Sequence, residues 1–514
     1  MASFLLVCTT SLLLIILSSY IYQLLERTRS RLPPGPVPLP IIGNLLDVAS
    51  KLPHRSLWRL AERYGPLVSV RIGAAVVVVV SSPSTAREVL KTHNGSITGR
   101  RPPDAWNGAG HATNSLFTLS PGRRWRELRR IGAEHLLSPR RLDGHGLRHA
   151  MRAALLDMRR RISKSATDTA AAKPVEVGGV AFETMAELMW RAMFSCGLDA
   201  ATLRELHGVA REAVRLALTP NVSDFFPAVA AMDLQGVRRG MAKQVGKVYE
   251  LIDQEIDKRR RAREETGGGG GIVDEQEVDL LGVMLDMWEV DEEEVDEVVM
   301  NRDTIRTFLT DVFLAAVDSI PSTIEWAMAE LLQNREAMKK LKEQLNSVLG
   351  SKECVECSDV DGVPYLQAVI KETLRLHSLV PLVPNNAEDT VEIQGHVIPK
   401  GCNVIVNLWA IHHNAEVWTN PCKFIPERFL QCNKEEFNYQ GTEDFEFMPF
   451  SAGKRLCLGL PLATRMLPAL LGSLLHHFEW TLPKEAKENG LDMSEKLGLT
   501  LAMATPLQAM VKAM

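Results

Sequence analysis

The stretch that decides the fold is residues 450–459, which read FSAGKRLCLG. A single cysteine, Cys457, lies between Gly453 and Gly459 and closely follows Arg455. Apolar residues then recur at helical spacing, so Cys457 is predicted to stand just before an apolar helix. The positive end of that helix and the neighbouring basic side chains are expected to lower the pKa of the thiol.

A thiolate in this position is suited to binding a metal. The thiolate is the form of cysteine that coordinates metal ions. Gly453 permits a tight turn, and Gly459 lets a flat group approach the helix backbone. A single thiolate with no companion ligand suits one axial position on a planar cofactor, and haem iron is the obvious candidate. The alternative is a buried thiol that only packs, which is the commoner fate of a lone cysteine.

The residues Phe450, Gly453, Arg455, Cys457 and Gly459 match in full the haem-binding signature F-x-x-G-x-R-x-C-x-G. In this the chain resembles the cytochrome P450 family, and the resemblance covers nearly the whole sequence. It is greatest to plant microsomal members that oxidise terpenoids and related small lipophiles. The resemblance implies a haem-thiolate monooxygenase, with Cys457 as the axial ligand of the iron. It also implies O2 as co-substrate and NADPH-cytochrome P450 reductase as the electron donor.

Two further marks of the family lie upstream in the expected order. Glu372 and Arg375 stand in KETLRLH, and Arg428 stands in PERF. Residues three apart share a helix face, and apolar neighbours indicate that this helix is buried, where charges must be partnered. The resemblance implies that the three residues form a structural triad. The alternative is a surface ion pair worth less than ~1 kcal/mol.

The resemblance also assigns residues around the haem. It implies that Trp125, Arg129 and Arg455 contact the haem propionates. It further implies that Asp318 and Ser319, within AAVDSI, are catalytic. Oxygen activation needs a hydrogen-bonding hydroxyl and a path for protons, which an acid and a serine can supply.

Several positions depart from the family pattern, among them four near the predicted oxygen and propionate sites. Ala316 replaces a glycine, Ser319 replaces a threonine, and Pro321 follows inside the predicted helix. Asn385 stands where relatives often have a basic residue. These departures leave two other functions open. One is a haem-thiolate enzyme that rearranges its substrate without a reductase, and the other is a haem-binding membrane protein or scaffold with little turnover.

The amino-terminal segment predicts a membrane anchor. Phe4–Leu25 is an uncharged, mostly apolar run of about the length that crosses a bilayer. The flank Glu26–Arg31 carries three arginines, so the positive-inside rule places the following chain in the cytosol. Together with the resemblance, this predicts a single-pass protein of the endoplasmic reticulum membrane, in contact with membrane lipid. The alternative is a cleaved signal peptide.

Residues 32–43 contain five prolines. Each ring fixes φ and removes a backbone donor, so the segment is predicted to be a stiff strap, or else a plain spacer. The predicted domains are therefore an anchor with its basic flank at 1–31, a proline-rich strap at 32–43, and a haem-thiolate monooxygenase domain at 44–514.

Helical periodicity dominates the body. It predicts helices over residues 54–64, 241–258, 304–334, 341–349, 365–376 and 458–478, and β-branched runs predict strands at 76–80, 390–393 and 403–407. At ~1.5 Å per residue, the helix over 304–334 would cross the whole domain. The fold class is thus mainly α with small β-sheets, as in a cytochrome P450. His412 and His413 are interpreted as structural, because adjacent residues on an extended strand point to opposite faces.

Charge and hydropathy limit the classes of molecule that the protein can bind. The formal net charge of −4 gives no sign of nucleic-acid binding. Arginines at 123–130 and 140–141 offer a basic face to a reductase, or else only solvate a helix. Apolar segments at 102–119, 209–226, 380–383 and 499–504, with Ile320, are predicted to contact a small lipophilic substrate.

Overall fold

The computed structural model describes the body of the chain and part of its amino-terminal segment. The described residues are ten positions between Phe4 and Ile21, then 31–167, 173–217, 219–265, 279–291, 300–430, 439 and 445–513. The predicted anchor Phe4–Leu25 is helical at each of those ten positions, and the rest of it lies outside the described residues.

Helices form most of the described structure, and the predicted class, mainly α with small sheets, is confirmed. The α-helices are α1 (Leu45–Val48), α2 (Pro53–Tyr64), α3 (Pro83–Arg87), α4 (Arg123–His135), α5 (Pro139–Leu142), α6 (His145–Thr167), α7 (Val177–Phe194), α8 (Ala200–Ala217), α9 (Val222–Phe225), α10 (Val237–Glu265), α11 (Leu280–Asp291), α12 (Arg302–Gln333), α13 (Arg335–Leu349), α14 (Pro364–Leu376), α15 (Leu408–His412), α16 (Leu460–His477) and α17 (Lys484–Asn489). The strands are β1 (Leu67–Ile72), β2 (Ala75–Val80), β3 (Val175–Glu176), β4 (Leu382–Asn386), β5 (Val391–Ile393), β6 (His396–Ile398), β7 (Asn403–Asn407), β8 (Phe478–Thr481), β9 (Glu495–Leu497), β10 (Leu501–Met503) and β11 (Gln508–Ala513).

The largest described sheet has the strand order β1-β2-β7-β4. β1 and β2 form an antiparallel hairpin, β2 runs parallel to β7, and β7 runs antiparallel to β4. Val78 and Val80 pack into one apolar cluster, whereas Val77 and Val79 pack into another. Both faces of β2 are therefore buried, which explains an unbroken run of valines. The first cluster includes Ala452, so the sheet supports the loop that carries Cys457.

α12 crosses the core, and its bounds agree with the predicted helix to within two residues. Its first turn is capped by Asn301, whose side chain accepts a hydrogen bond from the Thr304 amide at 2.8 Å. Pro321 lies inside the helix without ending it. Among the described residues, α12 is the one helix long and apolar enough to span a bilayer. Because 61% of that apolar window is buried inside the protein, α12 is a core helix.

The proline-rich segment is fixed to the body. The amide of Ser69 donates to the Pro34 carbonyl at 2.8 Å, and the Ser69 hydroxyl donates to the Pro33 carbonyl at 2.6 Å. A Cβ at Gly35 would lie 1.9 Å from the Ser69 carbonyl oxygen, so only glycine permits this approach. These contacts hold the segment against β1.

A buried carboxylate on α12 gives a test of stability. Glu325 accepts a hydrogen bond from the Leu507 amide at 2.8 Å, and burial raises the pKa of Glu325 to about 7. A raised pKa in the folded protein means that stability falls as pH rises through that pKa. We expect Glu325→Gln to raise the free energy of unfolding by about 3 kcal/mol at about pH 8 and to have little effect near pH 4.

Urea unfolding of both proteins across this pH range measures the difference. Glu336→Gln is the matched control, because Glu336 is exposed on the neighbouring helix α13. An equal change at both pH values for Glu325→Gln would contradict the assignment of a charge effect.

Candidate active site

The loop that carries Cys457 is fixed by tight backbone turns. Ser451 and Gly453 both take positive φ angles, 62° and 71°. A Cβ at Gly453 would lie 2.2 Å from the Leu90 carbonyl oxygen, so a side chain does not fit there. The Cys457 amide donates to the Phe450 carbonyl at 3.0 Å, which turns the chain back before α16. The predicted turn at Gly453 is confirmed.

Cys457 lines a cavity between α4, α12 and α16. The cavity has a volume of about 190 Å³ and opens partly to solvent. Among the described cysteines, Cys457 is the one that lines this space, and its side chain is exposed to it. A Cβ at Gly459 would lie 3.8 Å from the Cys457 sulfur and would meet no other heavy atom that close. The floor beside the sulfur is therefore open.

The expected lowering of the thiol pKa is wrong for this environment. Burial raises the pKa of the Cys457 thiol. The amides of Gly459 and Leu460 and the charge of Arg129 act in the predicted direction but only partly offset the burial. The helix terminus does favour a thiolate, yet the depth of the site opposes a charge that lacks a bound cation.

Three guanidinium groups gather on another wall of the same cavity. Arg129 and Arg455 lie over the Trp125 ring, 5.1 Å and 4.8 Å from its centroid. Arg129 also donates to the Leu456 carbonyl at 2.9 Å. Burial and repulsion from Arg100 and Arg129 lower the pKa of Arg455 to about 9, and burial lowers that of Arg100 to about 10.

This wall fits an anionic group. No carboxylate of the described residues lies within ion-pair distance of Arg100, Arg129 or Arg455. The indole N–H of Trp125 is buried and has no hydrogen-bond partner among the described residues. Buried cations and an unpaired donor that face one cavity are suited to carboxylate oxygens of a ligand.

The structure brings together the three charged residues of the predicted triad. Arg375 donates to both carboxylate oxygens of Glu372, at 2.7 Å and 2.9 Å, and both side chains are fully buried. Arg428 donates to the same carboxylate at 3.1 Å, and so does the Ile425 amide at 2.8 Å. The carboxylate is thus held by two cations and a backbone donor, as a buried charge requires.

His412 connects the triad to the cysteine loop. Arg375 donates to the His412 carbonyl at 2.8 Å, and the Met448 amide donates to Nε2 of His412 at 3.0 Å. Nδ1 of His412 lies 2.8 Å from the Ser378 hydroxyl. Burial holds the pKa of His412 well below its ordinary value, so the ring is neutral. His412 is structural, but the predicted extended strand is wrong, because this residue ends helix α15.

The predicted catalytic pair on α12 faces two different spaces. Ser319 lines the cavity of Cys457, and its hydroxyl donates to the Ala315 carbonyl at 2.7 Å. Asp318 lines a second, small and mostly apolar cavity of about 30 Å³ between α8, α10 and α12. Burial raises the pKa of Asp318 to about 6, and its Oδ2 has no hydrogen-bond partner among the described residues.

Comparison with known proteins identifies the family. A sequence profile described as cytochrome P450 matches residues 33–508. The chain belongs to the cytochrome P450 family. A geraniol 8-hydroxylase of Swertia mussotii is 37% identical to this P450 over 496 residues, covering 95% of this chain and 96% of the relative. A carnosic acid synthase of Rosmarinus officinalis is 37% identical over 487 residues, covering 93% and 92%. A geranylhydroquinone 3''-hydroxylase of Arnebia euchroma is 36% identical over 506 residues, covering 97% and 98%.

The family establishes the chemistry of this P450. It is an oxidoreductase of the haem-thiolate monooxygenase type, and haem held by a cysteine thiolate is its cofactor. The cavity has the features that this cofactor needs. A cysteine lies at the start of α16 beside an open floor, and a cationic wall suits the two propionates.

Two residues that line the cavity of this P450 were not predicted from the sequence. Arg100 lines the cavity beside Arg455 and donates to Asn385 at 3.3 Å. The basic residue expected near position 385 is therefore supplied from another segment of the chain. In the sequence, the one local sign of this role was the pair Arg100–Arg101 before two prolines. Asp311 also lines the cavity. It stands on α12 two turns before Asp318, which lines the second cavity instead.

Proposed function

We propose that this P450 is a reductase-dependent hydroxylase of a small terpenoid or related lipophile, with Cys457 as the axial ligand. The observation that carries the proposal is the cysteine thiol on the floor of the cavity, opposite α12 and beside the cationic wall. The names of relatives support the substrate class, since they include geraniol 8-hydroxylases and a carnosic acid synthase.

The walls of the cavity suit an apolar substrate. Leu116, Phe117 and Ile320 line it, and the neighbouring face of α12 contributes small residues, including Ala316. Apolar walls with few polar groups bind lipophiles by burying their surface. Of the predicted contacts, Phe225 and Phe226 line neither this cavity nor the one beside Asp318.

Asp318 and Ser319 are proposed to handle protons for the reaction. The haem supplies the oxygen chemistry when bound, and the chain supplies hydrogen bonds and protons beside it. The Ser319 hydroxyl faces the cavity and exchanges its bond to the Ala315 carbonyl for one to the reacting group. The pKa of about 6 for Asp318 lets it both hold and release a proton near neutral pH.

Trp125, Arg129 and Arg455 are proposed to hold the propionates, together with Arg100. The positions of Arg129 and Arg455 over the Trp125 ring, and of Arg100 on the wall of the same cavity, support this role. Glu372, Arg375 and Arg428 are proposed to hold the core on which the cysteine loop rests. Their support is the hydrogen-bonded path through His412 to Met448.

We propose that residues 1–31 anchor the protein in the endoplasmic reticulum membrane in a single pass. The strap at 32–43 then holds the domain at 44–514 on the cytosolic side. Exposed apolar side chains on and after the strap, including Val37, Ile41 and Leu46, support contact with lipid.

The electron donor is proposed to be NADPH-cytochrome P450 reductase, bound on the side of α4. α4 lies next to the cysteine loop through the bond from Arg129 to the Leu456 carbonyl. Arg126 is exposed there, whereas Arg130 pairs with Glu127 at 2.5 Å and Glu134 at 2.8 Å on its own helix. The basic face is therefore smaller than the arginine count suggests.

Reconstitution with a plant reductase tests the function. Purified holoprotein, reductase, NADPH and geraniol are expected to give a product heavier by one oxygen atom, with the label retained from ¹⁸O2. Omission of reductase is the control. Product without reductase would favour the rearrangement enzyme, and a thiolate-type carbonyl spectrum with no product from any of a panel of terpenoids would favour the scaffold.

A further inference from the structure

A buried carboxylate that the proposed chemistry does not use ties α12 to the segment before α4. Asp311 is about 1% exposed and accepts three hydrogen bonds. The Leu116 amide donates at 2.7 Å, the Ser115 hydroxyl at 2.8 Å, and Nε2 of His111 at 2.9 Å. All three donors belong to one short segment, residues 104–119, so this side chain fixes the position of that segment on α12.

The network continues from His111 to α10. Nδ1 of His111 lies 2.8 Å from the Tyr249 hydroxyl, which lies 2.8 Å from the Thr307 hydroxyl. In the tautomer that carries its proton on Nε2, His111 donates to Asp311 and accepts from Tyr249, and Tyr249 accepts from Thr307. Every buried donor then has an acceptor, which makes such a network rigid. Burial raises the pKa of Tyr249 to about 12, so its hydroxyl stays protonated.

The fixed segment separates two cavities. Phe117 lines the cavity of Cys457, and Trp106 lines the second cavity, the one that Asp318 also lines. The two rings lie 6.4 Å apart, and the Trp106 ring lies 5.3 Å from that of His111. A Cβ at Gly108 would lie 2.8 Å from the backbone of α10, so the backbone of the segment also packs closely against that helix.

We propose that Asp311 is a positioning residue that holds residues 104–119 as a partition between the two cavities. The partition limits the length of the lipophile that the Cys457 cavity accepts. Once the bonds of Asp311 are weakened, the Trp106 and Phe117 rings move apart and the apolar second cavity joins the first. This inference rests on the haem-thiolate site proposed above and adds the feature that selects among its substrates.

The probes are butyl-, octyl- and dodecylimidazole, whose imidazole nitrogen binds haem iron while the alkyl chain lies in the cavity. Binding of butylimidazole, followed by the shift of the haem absorption band, reports that the haem site is intact. The ratio of the octyl to the dodecyl dissociation constant reports the length of the space. The two readouts separate a failure of the site from a failure of the partition.

In Asp311→Asn, one acceptor oxygen remains in place of two and the negative charge is lost, so the hydrogen bonds to this side chain become fewer or weaker. We expect dodecylimidazole to gain about fourfold in affinity relative to octylimidazole, since the small second cavity buries about one more methylene. Hydrogen exchange in peptides covering residues 104–119 is expected to become faster. Trp106→Ala is expected to shift the affinity ratio in the same direction without the faster exchange.

Thr310→Val is the matched control, because the Thr310 hydroxyl is buried one position away and donates only to the Arg306 carbonyl of its own helix. Its ratio and exchange should equal those of the wild type. If Asp311→Asn holds no haem, Tyr249→Phe removes both hydrogen bonds of the Tyr249 hydroxyl and should give a smaller shift in the same direction. An unchanged ratio in both Tyr249→Phe and Trp106→Ala, or in a haem-loaded Asp311→Asn, would overturn the proposal.

Discussion

Cys457→Ser is expected to lose the red-shifted carbonyl band of a thiolate-ligated haem and to reduce NADPH-dependent oxygenation to background. Serine keeps the size and backbone of the residue, so the turns at Ser451 and Gly453 remain. A neutral hydroxyl is a poor ligand for haem iron and donates far less electron density than a thiolate. The ferrous carbonyl spectrum and product formation with reductase measure the two losses.

Cys402→Ser is the matched control for this experiment. Cys402 is a buried single thiol that lies outside the cavity, and its sulfur donates weakly to the Val76 carbonyl at 3.4 Å. A serine hydroxyl can make the same bond, so the carbonyl band and the activity should survive. A thiolate-type band in Cys457→Ser would show that another cysteine holds the iron, and the proposed site would be wrong.

The cysteine loop was predictable because its signals are local. The turn at Gly453, the helix after Gly459 and the long helix α12 all follow from residues close together in sequence. The same holds for the pair Glu372 and Arg375, since three residues along a helix place them on one face. In each case the backbone geometry needs no knowledge of distant partners.

The parts that the sequence did not predict depend on distant contacts. Arg100 reaches Asn385 across 285 positions of sequence, and Asp311 reaches Ser115 across 196. The predicted direction of the Cys457 pKa shift was also wrong. The thiolate loses solvation in proportion to the depth of the cavity, which the adjacent arginine and helix do not reveal. Asp318 and Ser319 are neighbours in sequence, but successive helix residues point about 100° apart, so they line different cavities.

Glu372→Ala is expected to give protein that cannot hold haem. The substitution leaves the Arg375 guanidinium fully buried without its carboxylate and removes a partner of Arg428. Breaking a buried ion pair on one side costs about 3–5 kcal/mol, which is a large fraction of the ~5–15 kcal/mol that stabilises a typical domain. Haem content per polypeptide and the unfolding midpoint are the measurements.

The loss should reach the cysteine loop along a defined path. Arg375 fixes the His412 carbonyl, and the His412 ring accepts from the Met448 amide at the start of the loop. When Glu372 no longer holds Arg375, the His412 ring is no longer fixed in position. The loop that carries Cys457 then loses the buried hydrogen bond between the Met448 amide and that ring. Arg375→Ala is therefore expected to lose haem as well, because it breaks the same path one step closer to the loop.

Glu427→Gln separates this effect from an ordinary surface ion pair. Glu427 is adjacent to Arg428, but its side chain is 35% exposed and pairs with Lys340 at 2.9 Å. An exposed pair is worth roughly 0–1 kcal/mol, so this variant should bind haem as the wild type does. A soluble, haem-loaded Glu372→Ala with an unchanged unfolding midpoint would contradict the role of the triad, because a buried guanidinium cannot lose its carboxylate without cost unless water already reaches it.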